Sequence, residues 1–185
     1  MHRLRPSPRT LCTTVAHLEP MRYALAQARR AYSLGEVPVG AVLVCSSGAV
    51  LSAAHNLVES LHDPTAHAEI LCVRRAAAAA GNWRLHDTTL YSTLEPCPMC
   101  LSALALARVG AIVYAAKDLR LGACGTWLPL HEEKHPFHTF RDVRGGVLED
   151  EAAELMRHFF RERRAEGKAA RGDLCRSAHL GCNGT

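Results

Sequence analysis

Apolar and polar positions divide this chain into short blocks of changing period. Between Met21 and Leu34 the apolar residues recur at helical spacing, Arg22, Arg29 and Arg30 fall on other faces, and Gly35 supplies a stop. Val39 to Cys45 and Ala49 to Ala54 read as two strands joined by the turn Ser46-Ser47-Gly48. A loop with His55, Asn56 and Asp63 follows, and Pro64, with Asp63 as N-cap, predicts a helix that runs through an alanine series to Gly81. Thr88 to Leu94 is rich in β-formers and predicts a third strand, which leads into Pro96-Cys97-Pro98-Met99-Cys100 and a helix to about Arg108. Ala111 to Ala116 predicts a fourth strand and Val143 to Leu148 a short fifth. Asp150 to Glu166 predicts a terminal helix, apolar at Ala153, Leu155, Met156, Phe159 and Phe160. Strands alternating with helices after an opening hairpin imply an α/β sandwich.

The 185 residues suit one domain, and 48% hydrophobic with 22% charged residues is ordinary for a globular chain. No apolar run approaches the roughly 20 residues of a membrane span, so no membrane partner is expected. A net charge of +4 permits a nucleic-acid partner without requiring one. Basic residues gather in the first dozen positions and from Arg157 to Arg176. Residues 1–20 read as a basic tail, either a transit-peptide-like segment or a disordered extension, and residues 169–185 as a disordered Gly, Arg and Ser tail. Eight cysteines raise the question of disulfides. Cys45 and Cys72 lie inside apolar segments and no secretory signal is visible, so a reducing compartment is the better reading. There a close pair such as Cys97 and Cys100 points to a metal or to redox chemistry.

Two short motifs carry chemistry. His67-Ala68-Glu69 opens one helix and Pro96-Cys97-Pro98-Met99-Cys100 opens another. A Cys-x-x-Cys pair at a helix start puts both sulfurs on one face, where the helix dipole favours thiolates. His67, Cys97 and Cys100 make three zinc ligands and leave a fourth position open, as catalytic zinc sites do. A water there can ionise near neutral pH, and Glu69, outside the ligand set, is the candidate proton carrier. Cys-x-x-Cys alone is shared with redox motifs and structural zinc knuckles. The pairing with His-x-Glu resembles zinc nucleobase deaminases.

More specifically, the chain resembles the tRNA-specific adenosine deaminases of the bacterial and plastid type. The resemblance spans residues 21–168, taken as the deaminase domain, and rests on Glu36-Val37-Pro38-Val39-Gly40-Ala41-Val42-Leu43-Val44, Asp63 to Ile70, Thr89 to Cys100, and Phe159 to Arg164. It implies a cytidine deaminase-like three-layer αβα sandwich around a mixed five-stranded sheet, one Zn2+ per subunit, and a homodimer. It implies hydrolysis of the wobble adenosine of a tRNA anticodon stem-loop to inosine, usually in tRNA-Arg. It places Asn56 on the flipped base, Val37 and Pro38 in the pocket wall, the Ala68 amide against the base or its water, and Asp118 on the RNA backbone. Phe160, Arg163 and Arg164 belong to the same expected RNA surface, with Arg161 and Lys168 beside them. Gly81 to Leu85 and His135 to His138 look more like the plant plastid branch, which favours a chloroplast enzyme over a bacterial cytoplasmic one.

The residues leave other readings open. Asn56 can simply form a turn, Phe159 and Phe160 can be core, and the arginines can be a solvated face. A deaminase of free guanine, cytosine or a nucleotide would share the zinc chemistry. A silent RNA-binding subunit with structural zinc would have no use for Glu69.

Overall fold

The computed structural model describes the backbone of residues 8–133 and 135–180 and the side chains of residues 16–133 and 135–167. Five strands form one sheet, β1 (Gly40–Cys45), β2 (Val50–His55), β3 (Thr88–Leu94), β4 (Ala111–Ala116) and β5 (Asp142–Arg144), in the order β2-β1-β3-β4-β5. β1 is antiparallel to both β2 and β3, while β3, β4 and β5 run parallel. The sheet is therefore mixed.

The period-two alternation of the strands decides the layers. Ala41, Leu43, Leu90, Ile112 and Tyr114 face one side, where α3 (Ala68–Ala80) and α4 (Pro98–Leu106) cover them with Leu71, Cys72, Leu101 and Leu104. Val42, Val44, Tyr91, Val113 and Ala115 face the other. There α1 (Pro8–Ser33) lays down Met21, Ala24 and Leu25, and α5 (Glu149–Leu180) adds Ala152. The result is a three-layer αβα sandwich. Gly40 lets α1 lie this close, since a Cβ there would stand 2.1 Å from the Ala24 carbonyl oxygen.

Several boundaries differ from the sequence pattern. The backbone of α1 starts at Pro8 and passes through Pro20, whereas periodicity starts the helix at Met21. Leu18 packs on the α1 side of the core and His17 Nδ1 meets the Tyr91 hydroxyl at 2.8 Å, so packed structure extends upstream of residue 21. Backbone helix also continues past Gly167 to Leu180, since one glycine costs a helix only about 1 kcal/mol. Residues 1–7 and 181–185 of the two expected tails lie outside the described residues.

The third helix begins at Ala68, with His67 as N-cap, and not at Pro64. Asp63 is used otherwise, accepting the Thr65 N–H at 2.8 Å and the Thr65 hydroxyl at 2.7 Å in a local turn. A four-residue helix, α2 (Val58–Leu61), occupies part of the expected loop, and β5 is shorter and earlier than Val143 to Leu148.

The topology collects chain ends at one edge. The start of β1, the end of β2 and the ends of β3 and β4 lie there together, because Gly40 pairs with His55, Ala41 with Ser92 and Leu94 with Ala116. Open α/β sheets bind ligands outside the carboxyl ends of their parallel strands.

Candidate zinc centre and its pocket

Two helix N-termini converge at that edge. His67 is the N-cap of α3 and Cys97 the N-cap of α4, both with extended backbone, and neither side chain caps its helix. Pro98 at the first helical position of α4 fixes the entry without forfeiting a hydrogen bond. His67 Nδ1 lies 3.7 Å from Cys97 Sγ and 3.4 Å from Cys100 Sγ. All three donor atoms fall within 4.8 Å of one another. Tetrahedral zinc with bonds of about 2.0–2.3 Å sets its nitrogen and sulfur donors about 3.6 Å apart, so this set fits one Zn2+.

The electrostatics follow from burial and contact. The Cys100 thiol beside Cys97 is the largest influence holding Cys97 down, to about 4, with His67 adding to it. Cys100 is pushed up by Cys97 and by burial. The Cys97 contact raises His67. Glu69, 4% exposed, is pushed up to about 7, chiefly by burial. A carboxyl so placed can hold or release a proton at neutral pH.

Above these groups is a cavity of about 260 Å³ with His67, Glu69 and Cys97 in its lining. Small-ligand sites begin at about 300 Å³, so it suits a single base better than a whole nucleotide. Val37, Asn56, Asp118 and Phe160 also line it. Pro38 does not. It is buried behind the wall, in a tight turn where the Val39 N–H donates to the Val37 carbonyl at 2.7 Å, and Val39 takes its place in the lining. Ala68 is fully buried beneath the site at the start of α3.

A second cleft of about 540 Å³ adjoins the first and shares Leu94, Arg120 and Phe160 with it. Lys117, Arg120, Arg157, Arg161 and Arg164 surround its apolar floor. The Arg120 guanidinium sits 5.8 Å from the centre of the Phe160 ring. The two expected arginines part company here. Arg164 lines the cleft, but Arg163 lies about 100° away around α5, with its guanidinium 5.9 Å from the Phe159 ring and 3.3 Å from Glu166. Phe159 is core, edge-on to Tyr32, and the Lys168 side chain lies outside the described residues.

Two buried acids escaped the sequence reading. Glu36, 0% exposed, accepts from Asn56 and from the backbone of Glu59 and Ser60. Glu95, 1% exposed, accepts the backbone N–H groups of Asp118, Cys124 and Thr126, and so holds the loop after β4 against the zinc side. A Cβ on Gly122 would stand 2.4 Å from that carboxylate. The available signal was an acid flush against an apolar stretch, Glu36 before Val37 and Glu95 after Leu94.

The sandwich and its His-Cys-Cys centre, with an unliganded carboxylate beside it, define a zinc-dependent hydrolytic deaminase. Residues 15–116 match the family of the cytidine and deoxycytidylate deaminase zinc-binding region. A tRNA-specific adenosine deaminase of Bacillus subtilis is 46% identical over 83% of this chain and 94% of its own length. The chloroplastic tRNA(adenine(34)) deaminase of Arabidopsis thaliana is 48% identical over 77% of this chain, which spans only 12% of that much longer protein. A solved structure from a study of A-to-I editing by tRNA:A34 deaminases superposes with a TM-score of 0.70 at 41% identity, covering 74% of this chain and 98% of the other. The chain belongs to the tRNA-specific adenosine deaminase family.

Proposed function

We propose that this chain hydrolyses the wobble adenosine of a tRNA anticodon stem-loop to inosine, with tRNA-Arg as its substrate. Water adds at C6 of the adenine and the amino group leaves as ammonia. His67, Cys97 and Cys100 would hold a Zn2+, which would supply the Lewis acidity that makes water reactive at neutral pH. Glu69, buried beside the site, takes one proton from the attacking water to N1 of the purine ring and a second from the resulting C6 hydroxyl to the amino group, which leaves as ammonia. Val37, Val39 and Phe160 enclose the flipped base, and Asn56 hydrogen-bonds it. Asp118 meets the RNA chain at the pocket mouth, while Arg164, Arg120 and Lys117 hold phosphates in the adjoining cleft.

One observation supports RNA over a free base. The base-sized cavity adjoins a cleft lined by five cationic side chains, more than a free purine would meet. The test offers the zinc-loaded chain anticodon stem-loops, free adenosine, cytidine and guanine. Inosine in the stem-loop is the expected product. Ammonia from guanine or cytidine, with none from RNA, would overturn the reading.

Exposed Leu119, Leu121, Trp127 and Leu128 on the loop held by Glu95 favour a homodimer that covers them. Sedimentation at micromolar concentration checks this, and a monomer contradicts it. The basic start of the chain and the plastid-like stretches favour the chloroplast over a bacterial cytoplasm. No described helix is long and apolar enough to cross a membrane.

A further inference from the structure

Asn56 does not meet the pocket freely. Its Nδ2 donates to Glu36 Oε2 at 3.1 Å, and the same carboxylate accepts the N–H of Glu59 at 3.2 Å and of Ser60 at 2.7 Å. Glu36 is fully buried and Asn56 is 6% exposed, so solvent does not compete for this contact. An ionised carboxylate only accepts, which forces the nitrogen end of the amide toward Glu36. The carbonyl Oδ1 and the remaining N–H are then fixed in direction relative to the cavity that Asn56 lines. A flipped amide would set donor against donor on a base edge, and each purine edge has its own order of donors and acceptors.

We propose that Glu36 is a positioning residue that sets the polarity of the Asn56 amide toward the substrate base, and through it the base edge the pocket accepts. The proposal rests on the reading that a base enters this cavity beside Asn56. Burial pushes the Glu36 carboxyl up, but hydrogen bonds from Ser60, Glu59 and Asn56 outweigh it and hold the carboxyl below its ordinary value, in keeping with a permanent acceptor. Glu36 also ties down the start of α2, whose Val58 and Glu59 line the same cavity, so a purely structural role is the rival account.

The test is a double-mutant cycle on the zinc-loaded full chain, with kcat/KM, zinc content and thermal unfolding read for each protein. Glu36→Gln should lower kcat/KM at least about 10-fold in the wild-type background and less than about 2-fold on top of Asn56→Ala, with zinc retained. The same factor in both backgrounds would overturn the proposal, because Glu36 would then act only through α2. The reciprocal exchange, Glu36→Gln with Asn56→Asp, restores the hydrogen bond with its polarity reversed and covers the case in which Glu36→Gln alone does not fold. It should regain part of the thermal stability, since the new amide nitrogen cannot also accept the Glu59 N–H, while kcat/KM stays low. Recovery of kcat/KM together with stability would also overturn the proposal. The wild-type chain alone tests which substrate is used, and the cycle is run on whichever substrate it turns over, so the two readings fail separately.

Discussion

The zinc wall and the α5 wall of the site are built in opposite ways. His67, Glu69, Cys97 and Cys100 come from two helix starts, each within four consecutive residues, and sit over the most buried part of the sheet. The α5 wall is largely exposed, and the side chains it brings to the cleft, among them Phe160, Arg161 and Arg164, are chosen by helical phase from a longer basic run. Bond-making groups are held where water is scarce and neighbours rigid. Groups that would meet a charged polymer stay hydrated, and each would contribute a small, salt-dependent share.

The largest effect should fall on the zinc wall. Cys97→Ala should lose the metal, all turnover, and part of the thermal stability, since metal binding is coupled to folding. Metal analysis and an unfolding scan check this, and full zinc occupancy in the variant would contradict the ligand set.

The α5 wall should respond by degrees. Replacing Arg120 and Arg164 by alanine should weaken stem-loop binding about 10-fold near physiological salt and flatten the slope of log Kd against log salt by about 1.4, at about 0.7 per phosphate contact. Arg163→Ala should change affinity less than about 2-fold, because its guanidinium turns to Phe159 and Glu166. Equal losses from Arg163 and Arg164 would erase the distinction between the two faces of α5.

Smaller effects should separate the walls from the loop between them. Glu95→Gln replaces an acceptor of three backbone N–H groups and should cost about 1–3 kcal/mol, with faster amide exchange at Cys124 and Thr126. Unchanged exchange there would show that Glu95 does not hold the loop. Glu36 should give the weakest signal, in acid. Its folded carboxyl is held below its ordinary value, so the stability it adds is complete above about pH 4.3 and fades as pH falls through the lower folded value. Between about pH 5 and pH 3 the wild type should therefore lose more stability than Glu36→Gln, and parallel curves would contradict this.

The same contrast explains what the sequence could reveal. The zinc centre was legible because its ligands are consecutive and the three-residue step of Cys-x-x-Cys implies one helix face. β3 and β4 begin and end where their patterns put them, bounded by turn residues on both sides. Where one group has two possible partners, the pattern fails. Asp63 can cap a helix at Pro64 or bind Thr65, and it does the latter, which moves the start of α3 to Ala68. Arg163 and Arg164 are equivalent in composition, and only the phase of α5 separates them. Glu36 and Glu95 act on residues 20 to 31 positions away, a relation that no local spacing encodes. The start of α1 was hidden by its basic, proline-containing composition, although Leu18 continues the stripe of Met21 and Leu25.

The claim joining both walls is that Glu69 moves protons without holding the metal. Zinc content, stem-loop binding and inosine formation measured on a single preparation of Glu69→Ala address it directly. The account predicts one zinc per chain, wild-type affinity and a rate lower by about 10²–10⁴-fold. Turnover within a few-fold of wild type, or loss of the zinc along with the carboxylate, would contradict it.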